Sequence, residues 1–134
     1  FFDQPTTNIT QTISGISFQP DMGFFTSFNL IANLNEQSNG AVTIGSTVLG
    51  GNESSIWYQD RNIDPSDANM YNNYQAITIA FSNTLRGYAT AVFIPSGINL
   101  MWNLCDGTQR QILYWAFRSP SPYISIRNKI EVFY

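Results

Sequence analysis

The sequence predicts an all-β fold, an antiparallel β-sandwich of jelly-roll-like type with about eight to ten short strands and at most one short helix. Three observations carry this expectation. Apolar and polar residues alternate with period two over long stretches, the mark of a strand with two differently solvated faces. Turn-forming residues recur every 8–12 positions between these stretches. Hydrophobic residues make up 43% of the 134 residues and aromatics 15%, enough for a full core in one domain, 1–134.

Taken in chain order, Thr12–Phe18 is the first strand candidate, and residues 1–12 form an N-terminal segment able to serve as an exchanged or donor strand. Next, Phe24, Thr26, Phe28, Leu30, Ala32 and Leu34 would face one side of a strand, with Phe25, Ser27, Asn29, Ile31 and Asn33 on the other. Asn35 to Gly40 reads as a hairpin loop closed by Asn-Gly, residues that tolerate positive φ. Val42, Ile44, Ser46 and Val48 resume the alternation until Gly50-Gly51 stops it. Further strands are expected at Ser54–Gln59, Gln75–Phe81, Tyr88–Ile94, Ile98–Leu104, Gln111–Phe117, Tyr123–Ile126 and Ile130–Tyr134. Pro95-Ser96-Gly97, Asp106-Gly107 and the Ser-Pro repeat at 119–122 separate several of them. The one helical signal is Asp64 as N-cap, Pro65 at the first helical position and Asp67 in the first turn. Asn69, Asn72 and Asn73 propagate a helix poorly, so one or two turns are expected there.

Some strands are apolar on both faces. Ile112, Tyr114 and Ala116 alternate with Leu113, Trp115 and Phe117, and Phe133 lies between Val132 and Tyr134. Such a strand belongs either between two covering layers or in a subunit interface.

Composition narrows the function classes. Charged residues are 11% of the chain, well below the roughly 25% usual for soluble domains. Asn, Gln, Ser and Thr take their place. The six basic residues are scattered and the pI is about 4.5, which argues against a nucleic-acid surface. No apolar run reaches the ~18 residues of a membrane helix, so membrane insertion is not expected. Cys105 is the single cysteine, which rules out an intrachain disulfide framework and reads as a small buried hydrophobe. Phe1 in place of Met marks a processed product or an excised piece. Two sequons, at Asn8 and Asn52, are candidate glycosylation sites and fit an extracellular, cell-surface or virion-surface location.

The chain has no histidine, which removes His-based nucleophile activation and His-ligated metal chemistry. No phosphate-binding glycine loop is present, no cofactor is expected, and a non-enzymatic role is favoured. Two binding sites remain to be weighed. Asp60, Asn62 and Asp64 mimic the opening of a calcium loop, but Pro65 occupies the glycine position and Tyr71 the position of the bidentate Glu. A calcium site of another type would use Asp60, Asp64 and Asp67. Around the same stretch, Trp57, Tyr58, Asp60, Asn62, Tyr71 and Tyr74 combine aromatic faces with amides and a carboxylate, the chemistry of a sugar site.

The segment Phe1-Phe2-Asp3-Gln4-Pro5-Thr6-Thr7-Asn8-Ile9-Thr10, followed by Ser14-Gly15-Ile16-Ser17-Phe18, resembles the mature start of TasA/camelysin-type extracellular matrix proteins over about 20 residues. That resemblance implies a jelly-roll subunit that polymerises by lending a strand to its neighbour. Low charge and few Lys or Glu gatekeepers on strand edges point independently to a homo-oligomer or polymer formed through those edges. The expected function is therefore a self-assembling extracellular subunit of a filament, pilus or matrix fibre. A virion capsid or spike domain and a carbohydrate-binding, lectin-like module that takes a glycan are the alternatives.

Overall fold

The computed structural model describes residues 1–28, 39–61, 67–81 and 84–119, with backbone alone at positions 39, 61, 67–69 and 71. Among the described residues ten strands follow one another: β1 (Phe2–Asp3), β2 (Thr10–Ile13), β3 (Met22–Phe28), β4 (Asn39–Val48), β5 (Glu53–Arg61), β6 (Asp67–Asn73), β7 (Ile77–Phe81), β8 (Thr84–Ile94), β9 (Gly97–Cys105) and β10 (Gln111–Phe117). They form two antiparallel sheets, one of six strands in the order β1-β10-β3-β4-β5-β6 and one of four in the order β2-β9-β8-β7. The all-β sandwich expected from the alternation is the observed architecture.

The N-terminal segment crosses between the sheets and lines an edge of each. Phe2 and Asp3 pair with Ile112 and Gln111 of β10, and Thr10 to Ile13 pair with Met101 to Ile98 of β9. Three consecutive hairpins then build β3 to β6, and two more build β7 to β9. The β4–β5 turn needs positive φ at Gly50 (104°) and Gly51 (88°), which glycine adopts without a Cβ clash.

Three expectations need correction. β6 runs through Asp67–Asn73, where helical turns were expected, because it pairs with β5 from Ser55↔Asn73 to Arg61↔Asp67. A full ladder outweighs the weak local helix signal of an Asn-rich segment. Asn39 and Gly40 lie within β4 instead of closing a loop, since they pair with Arg61 and Asp60 at the long end of β5. The first sizeable strand pairs at Thr10–Ile13 and ends before Phe18. The expected strands at 123–126 and 130–134, Asn35–Ser38 of the expected loop, and residues 29–34 lie outside the described residues, as do Asp64 and Pro65 of the helix signal.

The main core lies between the sheets. Phe25 and Ile112 from the larger sheet meet Ile13, Ile77, Ile79, Ala89, Ala91, Phe93, Ile98, Leu100 and Trp102 from the smaller. Under β4 and β5 the character changes. Their inward residues are mostly small or polar: Ala41, Thr43, Gly45 and Thr47 on β4, and Glu53, Ser55, Trp57 and Gln59 on β5. Here the edge strand β7 sits directly on the sheet. A Cβ at Gly45 would collide with the Ala76 carbonyl oxygen. Thr43 Oγ1 donates to the Thr78 carbonyl, and Ser55 Oγ donates to Thr78 Oγ1 at 2.7 Å. Small hydroxyl side chains thus admit the β7 backbone and satisfy its polar groups.

Candidate functional site

Because side chains alternate across a strand, the inward placement of Thr43, Gly45 and Thr47 turns Val42, Ile44 and Val48 outward. The same inversion holds on the neighbours. Cross-strand register places Phe28, Val42, Tyr58 and Met70 in one row on the outer face of the six-stranded sheet. The next row reads Leu113, Thr26, Ile44, Ile56 and Asn72. A third holds Trp115, Phe24, Ser46 and Ser54, and a fourth Phe117, Met22 and Val48. Most of these side chains are exposed. Ile44 retains 61% of its accessible surface and Met70 74%.

Depressions lined by described residues lie on this face. One, of about 470 Å³, is lined by Phe24, Phe25, Thr26, Ile44, Trp115 and Phe117. The Phe24 and Phe117 rings meet edge-on at 5.9 Å and hold one wall in place. Another, of about 250 Å³, is lined by Phe28, Gly40, Ala41, Val42, Tyr58 and Asp60. The Thr26 hydroxyl donates to the Thr43 carbonyl at 2.8 Å, so it is already engaged within the sheet. Among the described residues two charged side chains stand on this face, both toward its margins: Asp60 near the end of β5, and Asp3 on the edge strand β1 opposite Gln111.

The outer face of the smaller sheet differs. Thr12, Asn99 and Val92 form one row there and Thr10, Met101 and Thr90 the next, the polar mixture usual for a solvated sheet. The apolar outer face is therefore a property of the larger sheet.

The sugar-site residues of the sequence reading are divided by the fold. Trp57 is 1% exposed and packs inward with Ala41 and Ala80, so its ring offers no stacking platform. Tyr58 and Asp60 point outward and share the smaller depression. Tyr74 is exposed in the β6–β7 connection, where its N–H donates to Asn73 Oδ1 at 2.8 Å. Asn62 and the side chain of Tyr71 lie outside the described residues; in register, position 71 pairs with 57 and not with 58. Of the calcium trio, Asp60 is exposed, while Asp64 and the side chain of Asp67 lie outside the described residues. Among the described residues no three acidic or cysteine side chains group as metal ligands. Both sequon asparagines are exposed, Asn52 in the β4–β5 turn and Asn8 with its amide donating to the Asn103 carbonyl at 3.0 Å. Among the described residues no helix is long and apolar enough to cross a membrane.

The sequence signal for the outer face was present in part. Two-faced apolar character on β10 marks Leu113, Trp115 and Phe117 as interface candidates. Val42, Ile44 and Val48 gave no such warning, because an apolar set on one side of a strand reads as core. No family model, no curated protein and no solved structure matches the chain.

Proposed function

We propose that this chain is a non-catalytic structural subunit that self-assembles outside the cell, as part of a filament, matrix fibre or coat. One observation carries the reading: β4 and β5 turn Val42, Ile44, Val48, Ile56 and Tyr58 outward over mostly small and polar inward residues, and Phe24, Phe28, Leu113, Trp115 and Phe117 extend the same outer face. Monomeric proteins rarely expose contiguous apolar patches beyond about 300–600 Å². With about 150–250 Å² for each fully exposed large side chain, the outward residues here leave on the order of 1,000 Å² accessible. The low charge of the chain supports the same reading, since it removes the repulsion that keeps domains apart. The N-terminal segment, seated on an edge of both sheets, occupies the places an exchanged strand would fill.

Light scattering on a dilution series tests this. The expected result is a mass that rises with concentration through multiples of 15.1 kDa and does not fall when salt is raised. A constant 15.1 kDa at every concentration would overturn the reading. A glycan-binding role is the second reading, favoured by Tyr58 and Asp60 in one depression. It predicts retention on a glycan array that Tyr58→Ala abolishes without unfolding; an array with no bound glycan excludes it.

A further inference from the structure

We infer that the occupant of the outer face of the six-stranded sheet is the same face of a second copy, the two sheets stacking about a two-fold axis centred near Ile44. The inference rests on the self-assembly reading above and adds the partner surface and its geometry. Three observations point to a second copy. The first is area. A stable interface takes about 800 Å² from each partner, and the outward side chains of β3, β4, β5, β6 and β10 offer about that much or slightly more. The second is charge. Among the described residues the face carries two charged side chains, Asp60 near the end of β5 and Asp3 on the edge strand β1, so two copies can stack about Ile44 with no like-charge pair at the centre. The third is shape. A sheet presenting four rows of side chains in register is the kind of surface that packs face to face on another sheet, at about 10 Å in general.

A two-fold contact is isologous, so the residue on the axis meets its own copy. Ile44 lies on β4, the middle strand of the apolar five, with Val42 and Ser46 along its strand and Thr26 and Ile56 across from it. Whether the axis runs along or across the strands, this position faces itself.

The test uses short bismaleimide cross-linking of the full chain carrying Cys105→Ser, with a new thiol at Ile44→Cys on the face or at Thr12→Cys on the outer side of β2. Cross-linked dimer is expected from Ile44→Cys and not from Thr12→Cys, and adding Ile56→Glu is expected to weaken association about 100-fold. Light scattering on the same samples separates the two claims. Oligomers that persist while Ile44→Cys stays uncross-linked would overturn face-to-face stacking and leave self-assembly standing. A monomer that binds neutral phospholipid vesicles through this face would overturn both.

Discussion

Arg110 is the one buried charge among the described residues, and its surroundings explain how the fold tolerates it. Its Nη1 and Nη2 donate to the two Asp106 carboxylate oxygens at 2.7 and 2.8 Å, and Nη1 also donates to Gln4 Oε1 at 3.1 Å. The Gln4 N–H donates to the Arg110 carbonyl at 2.7 Å, which ties the N-terminal segment to the β9–β10 loop. Arg110→Ala should therefore cost about 1–3 kcal/mol in chemical denaturation, since it strips partners from buried Gln4. The hydrogen bond from Arg110 holds the Asp106 carboxyl below its ordinary value of 3.8. A group depressed in the folded state stabilises above its unfolded value, and that stability is lost as pH falls through the folded one. Asp106→Asn should flatten the acid limb of a stability-against-pH curve. Glu53 behaves in the opposite sense. Burial pushes it above 4.5, although the Ala91 N–H donates to its carboxylate at 2.6 Å. Its contribution is complete below the ordinary glutamate value and lost as pH rises through the elevated one, so Glu53→Gln should remove a decline on the approach to neutrality. None of these partnerships was legible in the sequence, because Gln4 and Arg110 lie 106 positions apart and nothing local marks either as buried. Cys105 was closer to legible. It is half-buried, and burial pushes its thiol up from the ordinary range.

At the scale of the strand, legibility follows the source of the signal. Gln111–Phe117 is delimited in the sequence to the residue, because polar and turn residues flank an unbroken apolar run. β6 was not, because its Asn-rich sequence has no β preference of its own and is held by its pairing with β5. Within β4 the two glycines are not equivalent. Gly45 supports β7 so closely that any side chain meets the Ala76 carbonyl, whereas nothing lies near a Cβ at Gly40. Gly45→Ala should cost about 1–3 kcal/mol, and Gly40→Ala should leave the unfolding midpoint unchanged or slightly raised. Equal losses at the two positions would contradict the close approach of β7. Glu53 shows the same economy of contact. β8 pairs with β7 only as far as Ala89↔Ile77, and beyond that point the Glu53 carboxylate accepts the Ala91 N–H that no β7 residue reaches.

For the whole molecule, sandwich architecture was readable from alternation, but which face of each strand turns inward was not. Alternation separates two faces without saying which is covered. On β4 and β5 the usual choice is reversed, because the close seat of β7 demands small inward residues and sends Val42, Ile44, Ile56 and Tyr58 outward. The apolar outer face and the hydroxyl-lined inner face are thus two sides of one constraint. The sequence clue to it was the two-faced strand β10, whose outward Leu113, Trp115 and Phe117 complete the same surface. The most direct measurement is sedimentation of Ile44→Glu beside Val92→Glu, each placing one charge at an exposed position, the first on the larger sheet and the second on the smaller. The account predicts that Ile44→Glu sediments as a folded monomer with unfolding parameters of the domain preserved, while Val92→Glu associates as the parent does. Unchanged association of Ile44→Glu, or equal loss in both variants, would contradict it.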